Sequence, residues 1–281
     1  MILEALEYLV TPCPPWARRL GFLTEAVSLR ARHHRCRQAW AGHVAECRRL
    51  VLDAAELCNH RRSVAILGSG LLIEIPLAEL ARRFERVVLI DAVHPWPTRW
   101  QSWRWDTVEL LTRDLTGVGE ALITALRTTP FLPLPRPYPP RLPGMPFDLV
   151  VSANLLSQLP VLPLDYLETR DTAGHFSTRD RELFADSLVR SHLSWLPSMA
   201  EVACLFSDIR SVVRDGTREG TAESVLPGVA LPTPDRTWSW DIAPHPEQHP
   251  RFDRRNTVAG YLTLAGMAEA PASTLLGTNA A

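Results

Sequence analysis

The residues with the best claim to chemistry follow an apolar run: Val64-Ala65-Ile66-Leu67-Gly68-Ser69-Gly70, leading through Leu71-Leu72-Ile73-Glu74-Ile75-Pro76 into a helix expected over Leu77 to Phe84. A strand, a glycine bend and a helix N-terminus make a seat for an anionic or polar group, because free backbone amides point outward there and glycine lets a ligand approach the main chain. Asp91 closes the next apolar run, 21 residues after Gly70. That is close to the spacing expected of an acid accepting hydrogen bonds from both ribose hydroxyls of an adenosine compound. A third run leads to Thr112-Arg113-Asp114-Leu115, where a carboxylate could accept from an adenine amino group. Asp is also common after strands as a local cap, so each acid alone has a purely structural reading as well.

These groups need elements that bring them together. Near-continuous apolar runs at 63–67, 86–90, 107–111, 147–151 and 201–206 suit strands covered on both faces, with helical crossovers between them. The runs 236–242 and 256–264 lie too close for a full crossover helix, so they are expected to close the sheet as an antiparallel pair. The fold class is therefore α/β: a mostly parallel seven-stranded sheet with an antiparallel last strand and helices on both faces. Residues 1–60 read as an N-terminal helical cap, with Pro14-Pro15 able to open one of its helices and an apolar stripe from Trp40 to Leu57. The main domain then runs over 61–265. Eight of the nineteen residues from Thr128 to Pro146 are proline, which forbids regular helix and predicts a stiff, extended insertion. Residues 266–281 read as a frayed tail.

Composition narrows the chemistry. The 281 residues include 30 basic side chains, every one an arginine, against 31 acidic ones. Without lysine there is no Walker phosphate loop, no Schiff base, and no Ser-Lys or Tyr-Lys mechanism. The near-zero net charge gives no bulk attraction to nucleic acid or anionic lipid, although a local patch remains possible. Five scattered cysteines without a C-x-x-C pair suggest neither a disulfide framework nor a zinc ribbon, and a cytoplasmic location is expected. No apolar run is long enough to span a bilayer, so no membrane association is expected. A nicotinamide or flavin site would need a third glycine where Ile73 stands.

The pattern resembles the class I S-adenosylmethionine-dependent methyltransferases over roughly residues 62 to 265. The resemblance rests on Leu67-Gly68-Ser69-Gly70, Leu89-Ile90-Asp91, Asp114-Leu115 and Phe147-Asp148-Leu149-Val150-Val151-Ser152-Ala153-Asn154-Leu155-Leu156, with Trp238-Ser239-Trp240-Asp241 and Asn256-Thr257-Val258 as the closing pair. It implies S-adenosylmethionine as cofactor, with Gly68, Ser69 and Gly70 under its methionine part, Asp91 and Ala92 at the ribose, Asp114 and Leu115 near adenine, and Ser152, Ala153 and Asn154 beside the sulfonium. The sequence departs from the family at two points. Ile66 stands where an acid usually meets the methionine amino group, and Leu72 stands where a third glycine is common. Glu74 is a candidate to replace the missing acid. No residue announces itself as a catalytic base, and no metal site is expected, since Cys36, His43 and Cys47 on one helix face are what packing alone produces.

The acceptor implied is most simply a small molecule. The alternatives are a methyltransferase-like scaffold that has lost catalysis, and an RNA-binding surface at Arg30-Ala31-Arg32-His33-His34-Arg35-Cys36-Arg37, which is not favoured because a solvated helix face explains it. Trp96, Trp100 and Trp103 recur at helical spacing, and either stack on a planar ligand or pack a short helix on the sheet. His175, Trp238 and Trp240 are further candidates for an acceptor pocket.

Overall fold

The computed structural model describes residues 2–264 except 129–130, 217 and 227, and the side chains from residue 6 onward. The expected tail at 266–281 lies outside the described residues. Three helices come first: α1 (Ile2–Val10), α2 (Pro15–Arg19) and α3 (Phe22–Glu56). Pro15 sits in the first turn of α2, where its missing N–H costs nothing. The strands β1 (Ser63–Leu67), β2 (Arg86–Asp91), β3 (Val108–Thr112) and β4 (Phe147–Ala153) alternate with α4 (Leu77–Arg83), α5 (Trp96–Ser102) and α6 (Gly119–Ala125). Two helices, α7 (Val161–Arg170) and α8 (Thr178–Trp195), lead to β5 (Ala200–Asp215). Two-residue strands β6 (Arg218–Glu219) and β7 (Glu223–Ser224) pair with β5 ahead of β8 (Arg236–Ala243) and β9 (Asp253–Tyr261).

The sheet order is β3-β2-β1-β4-β5-β9-β8. The first five strands are mutually parallel, and β9 runs antiparallel to both β5 and β8. This is the expected α/β, Rossmann-like sheet with an antiparallel last strand. Order reverses between β1 and β4, so the crevice in which open α/β sheets take ligands lies beyond the C-terminal ends of those two strands.

Both sheet faces are covered, which is why the strands read as unbroken apolar runs. Val64 and Ile66 pack with Leu50, Val51 and Ala54 of α3 and Leu80 of α4, whereas Ala65 and Leu67 pack on the opposite side with Val189 and Leu193 of α8. From Cys36 onward α3 therefore lines one core face. The expected division at residue 60 does not match this packing: only α1, α2 and the first turns of α3 overhang the sheet, with Ala17 and Leu23 resting on Ala92 and Val93.

β5 extends nine residues past its expected end at Phe206, forming with β9 a ribbon that leaves the parallel sheet. Ser207, Asp208, Arg210 and Ser211 break the apolar pattern there, and antiparallel pairing to β9 supplies the continuity instead. The proline-rich insertion is extended and free of regular structure over its described residues, as expected, yet it is anchored. Leu142 is buried, Phe131 and Leu134 pack beside α6, and Tyr138 N–H donates to the Thr116 carbonyl (3.0 Å). Gly117 permits that approach: it is left-handed (φ +69°), and a Cβ there would run into the Tyr138 carbonyl. No helix among the described residues is long and apolar enough to cross a membrane. We predict that Gly117→Ala lifts the strap, lowering stability by about 1–3 kcal/mol. Thermal melting should show the loss, and limited proteolysis should show faster cleavage within 131–146.

Candidate functional site

The bend after β1 is held from three directions. Asp91, at the end of β2, turns its carboxylate toward it: Oδ2 accepts from Gly70 N–H (2.7 Å) and Oδ1 from Ala92 N–H (2.7 Å). Thr98 of α5 donates to the Gly70 carbonyl (2.7 Å), and the Arg48 guanidinium of α3 donates twice to the Ile73 carbonyl (2.8 and 3.1 Å). Burial pushes the Asp91 carboxyl above its ordinary range, opposed by nearby His94 and by the backbone donors of Gly70, Val93 and Ala92. A carboxylate has about four acceptor positions; Oδ1 also takes Val93 N–H (3.5 Å), so the capacity left for a hydroxyl donor is on Oδ2.

One expectation about the bend needs correcting. The amides of Gly68 and Ser69 donate to the Ile90 carbonyl (2.9 and 3.3 Å), that of Gly70 to Asp91, and that of Leu72 to the Ser69 carbonyl (2.9 Å). None of these is an outward-pointing free donor, and α4 starts only at Leu77. The cause is the sequence between them: Leu72, Ile73 and Ile75 are drawn into the core beside α3, so the chain needs a long loop before it can turn helical. Leu72 takes a left-handed conformation (φ +59°) and is 3% exposed, so its side chain fills the core beneath the loop rather than the crevice.

The two glycines serve different ends. A Cβ on Gly68 (φ +73°) would lie 3.1 Å from Leu155 Cβ and 3.3 Å from the Ala153 carbonyl, so this glycine lets β1 and β4 close on each other. Gly70 (φ +45°) has only the Gly68 carbonyl at 3.9 Å, and its face is open.

The other expected site residues divide. Asp114 is engaged by its own loop, accepting from Thr116 N–H and Oγ1 (2.9 and 2.6 Å) and from Gly119 N–H at the start of α6 (2.6 Å), with Trp16 and Leu20 against Gly119. Leu115 is buried in the core on the α8 side. Ser152 faces the same side, its hydroxyl 2.9 Å from Nε2 of His192, whose imidazole burial drives down to about 3. Ala153 and left-handed Asn154 (φ +47°) form the β4 edge of the crevice. The buried Asn154 Oδ1 and Ser69 Oγ have no partner among the described residues. Unsatisfied buried polar atoms are rare in proteins; these two lie at the crevice, and others, such as Tyr166 Oη and Asp208 Oδ1, lie elsewhere.

Packing also assembles a cluster that sequence reasoning saw only in pieces. His43, buried in α3, stacks on Trp240 (4.1 Å, 7°), and its Nδ1 accepts from Trp238 Nε1 (3.0 Å). An indole N–H only donates, so the imidazole proton sits on Nε2, which faces Glu74 Oε1 at 3.5 Å. Asp208 lies on the same sheet face, next to a register shift in the β5–β9 pairing; its Oδ2 accepts from Asn256 Nδ2 (3.0 Å), while Oδ1 is buried without a partner. Burial pushes its carboxyl up to about 6; the Asn256 bond and His43 oppose the rise and Glu74 adds to it. Among the described residues no group of three His, Cys, Asp or Glu side chains could hold a metal ion.

The remaining candidates lie elsewhere. His175 is exposed in the loop between α7 and α8, against Phe131 and Phe176. In the arginine run, Arg30 pairs with Glu7 (2.7 Å) and Arg35 with both oxygens of Glu247 (2.8 and 2.5 Å). The tryptophans of α5 do not pack on the sheet: Trp100 and Trp103 are 65% and 68% exposed, whereas Thr98 and Ser102 face inward. The polar residues take the inner side because carbonyls there, those of Gly70 and Thr98, need donors.

No protein-family model matches the sequence, and no curated protein matches it. Among solved structures the chain is similar to the N-methyltransferase NodS of Bradyrhizobium japonicum WM9 in complex with S-adenosyl-L-homocysteine, at 13% identity and TM-score 0.38, over 79% of this chain and 87% of that one. It is also similar to the 1,6-didemethyltoxoflavin-N1-methyltransferase of Burkholderia thailandensis, at 14% identity and TM-score 0.37, over 84% and 86%. Likenesses at this level decide neither ligand nor reaction.

The Asp208 geometry gives a prediction with a definite sign. An unfolded Asp titrates near 3.9 and the folded carboxyl near 6, so the folded protein holds the extra proton between these values and loses stability as pH rises through them. Asp208→Asn keeps an acceptor for Asn256 Nδ2 and removes the charge that burial penalises. The variant should be more stable than the parent by about 1–3 kcal/mol at pH 8 and by little or nothing at pH 4. Denaturant titrations at the two pH values measure the difference.

Proposed function

We propose that the chain is an S-adenosylmethionine-dependent methyltransferase whose nucleoside sits in the crevice between β1 and β4. The observation that carries this reading is the Asp91 carboxylate, aimed from the end of β2 at the glycine bend of β1 and 2.7 Å from Gly70 N–H. The lone pair left on its Oδ2 suits a ribose hydroxyl, the open face of Gly70 leaves room for a ligand to approach, and the unpartnered Asn154 Oδ1 and Ser69 Oγ supply further polar contacts. The cofactor's sulfonium brings a methyl group already activated for in-line displacement. What remains to the protein is to orient the acceptor and exclude water.

The residues present fit such a ligand unevenly. Asp91, Gly70, Asn154 and Glu74 are available to it. With Ile66 buried in the core, Glu74 is the acid nearest the bend in sequence; its carboxyl is partly exposed and lies 3.5 Å from Nε2 of His43. We assign Glu74 to the amino group of the methionine moiety. Asp114 is committed to its own turn, so contact with adenine would come from main chain or apolar side chains rather than from that carboxylate.

One specific observation favours the second reading, a scaffold without turnover. Ala17 and Leu23 cover Ala92 and Val93, and Trp16 and Leu20 press on Gly119, so the N-terminal helices overhang the nucleoside end of the crevice. Under the first reading this overhang is the lid that excludes water, and under the second it is a plug.

Calorimetry with S-adenosylhomocysteine separates them. The enzyme reading predicts saturable binding, weakened on the order of a hundredfold by Asp91→Asn and roughly tenfold or more by Glu74→Gln, since each loses charge-assisted hydrogen bonds of roughly 1.5–3 kcal/mol. Asp91 must give up its proton to serve the ribose fully, so affinity should fall as pH drops through its upward-displaced titration. No binding by a protein that circular dichroism shows to be folded would leave the scaffold reading.

A further inference from the structure

We propose that the face formed by α1 and α5 is a docking surface for an anionic lipid bilayer. α1 is inverted for a helix on a water-facing surface. Glu7, 8% exposed, turns inward to Arg30, while Leu6, Leu9 and Val10 are 56%, 75% and 49% exposed. α5 is inverted in the same sense, with Thr98 and Ser102 inside and Trp96, Trp100 and Trp103 outside. The two helices make one surface: Trp96 Nε1 donates to the Val10 carbonyl (3.3 Å), and the Trp96 and Trp103 rings meet edge to face at 6.0 Å. Half of the large apolar side chains that the described residues expose lie on this one face, and contiguous apolar patches of that kind mark interaction sites rather than ordinary surface.

Composition and charge point to the occupant. Indoles carry an apolar body and one polar N–H, which suits the headgroup boundary of a bilayer, as do leucine and valine on a short helix lying in its plane. Arginines stand over its rings: Arg104 over Trp100 (5.9 Å), and Arg18 over Tyr8 of α1 (4.8 Å). Glu7 of α1 is withdrawn and paired with Arg30. A second copy docked by two-fold symmetry would gather these arginines together, whereas an anionic membrane surface attracts each one. Docking here is peripheral, and it does not depend on the reaction proposed above.

The test is co-sedimentation of the full chain with phosphatidylcholine vesicles, with and without phosphatidylglycerol, while intrinsic tryptophan fluorescence is followed. The expected result is binding to the anionic vesicles that weakens with salt, a blue shift on binding, and little binding to neutral vesicles. Trp100→Ala/Trp103→Ala should lower the partition coefficient roughly tenfold or more, and Leu9→Glu, at a different point of the same face, should lower it too. Circular dichroism confirms that both variants fold. The proposal fails if the unmodified protein stays in the supernatant with anionic vesicles at low salt, or if the variants bind as well as the parent. It also fails if light scattering finds a dimer that the double variant converts to monomer, which would assign the face to a second copy.

Discussion

The structure turns on how the nine-residue connection from Gly68 to Pro76 is held. In a short strand-to-helix turn the helix N-terminus organises the loop and offers its amides to a ligand. Here α4 begins too late for that, and the connection is fixed by side chains reaching in from other elements: Asp91 to the Gly70 amide, Thr98 to the Gly70 carbonyl, and Arg48 to the Ile73 carbonyl. The same carboxylate that closes the loop is the group a ribose would need. Folding and the proposed binding thus draw on one residue with opposite demands: burial displaces its titration upward, so stability falls as pH rises through it, whereas a ribose would need the ionised form.

How much of this was legible in the sequence follows from the range of the forces involved. The strand ends were legible because strands buried on both faces must be apolar throughout, and Ser63–Leu67 and Arg86–Asp91 stand where the runs predict them. Asp91 was legible because its spacing from Gly70 is set by one βαβ unit. Asp114 met the same positional criterion, but Thr116 two residues on and Gly119 beyond it supply local donors. Asx-type turn chemistry of that sort was the signal that its carboxylate was already spoken for.

The cluster around His43 was not legible as a whole. Its members were each visible for other reasons: His43 as part of an apolar helix stripe, Trp238 and Trp240 as alternate residues of a strand, Glu74 as a lone acid after the bend. What joins them is the lie of α3 across β8, which brings residues 195 positions apart into hydrogen-bond contact, and no local pattern encodes a crossing of that kind. The extension of β5 is a similar case, because its polar residues become strand only when β9 is present to pair with them. The orientation of α5 was missed for a related reason: helical spacing of three tryptophans gives a shared face without saying which side of the helix the sheet occupies.

The tautomer of His43 ties these threads together. Two acidic side chains, Glu74 and Asp208, act electrostatically on the same buried region. Trp238 Nε1 donates to Nδ1 of His43 (3.0 Å), which leaves Nε2 turned toward Glu74 at 3.5 Å. Burial holds the Asp208 carboxyl up at about 6 against the opposing effects of Asn256 and His43, while Glu74 lies at the partly exposed end of the cluster. The packing of one indole against one ring nitrogen thereby fixes the imidazole between two acids that differ in exposure: Asp208 is buried where β5 and β9 pair, whereas Glu74 keeps a partly exposed edge.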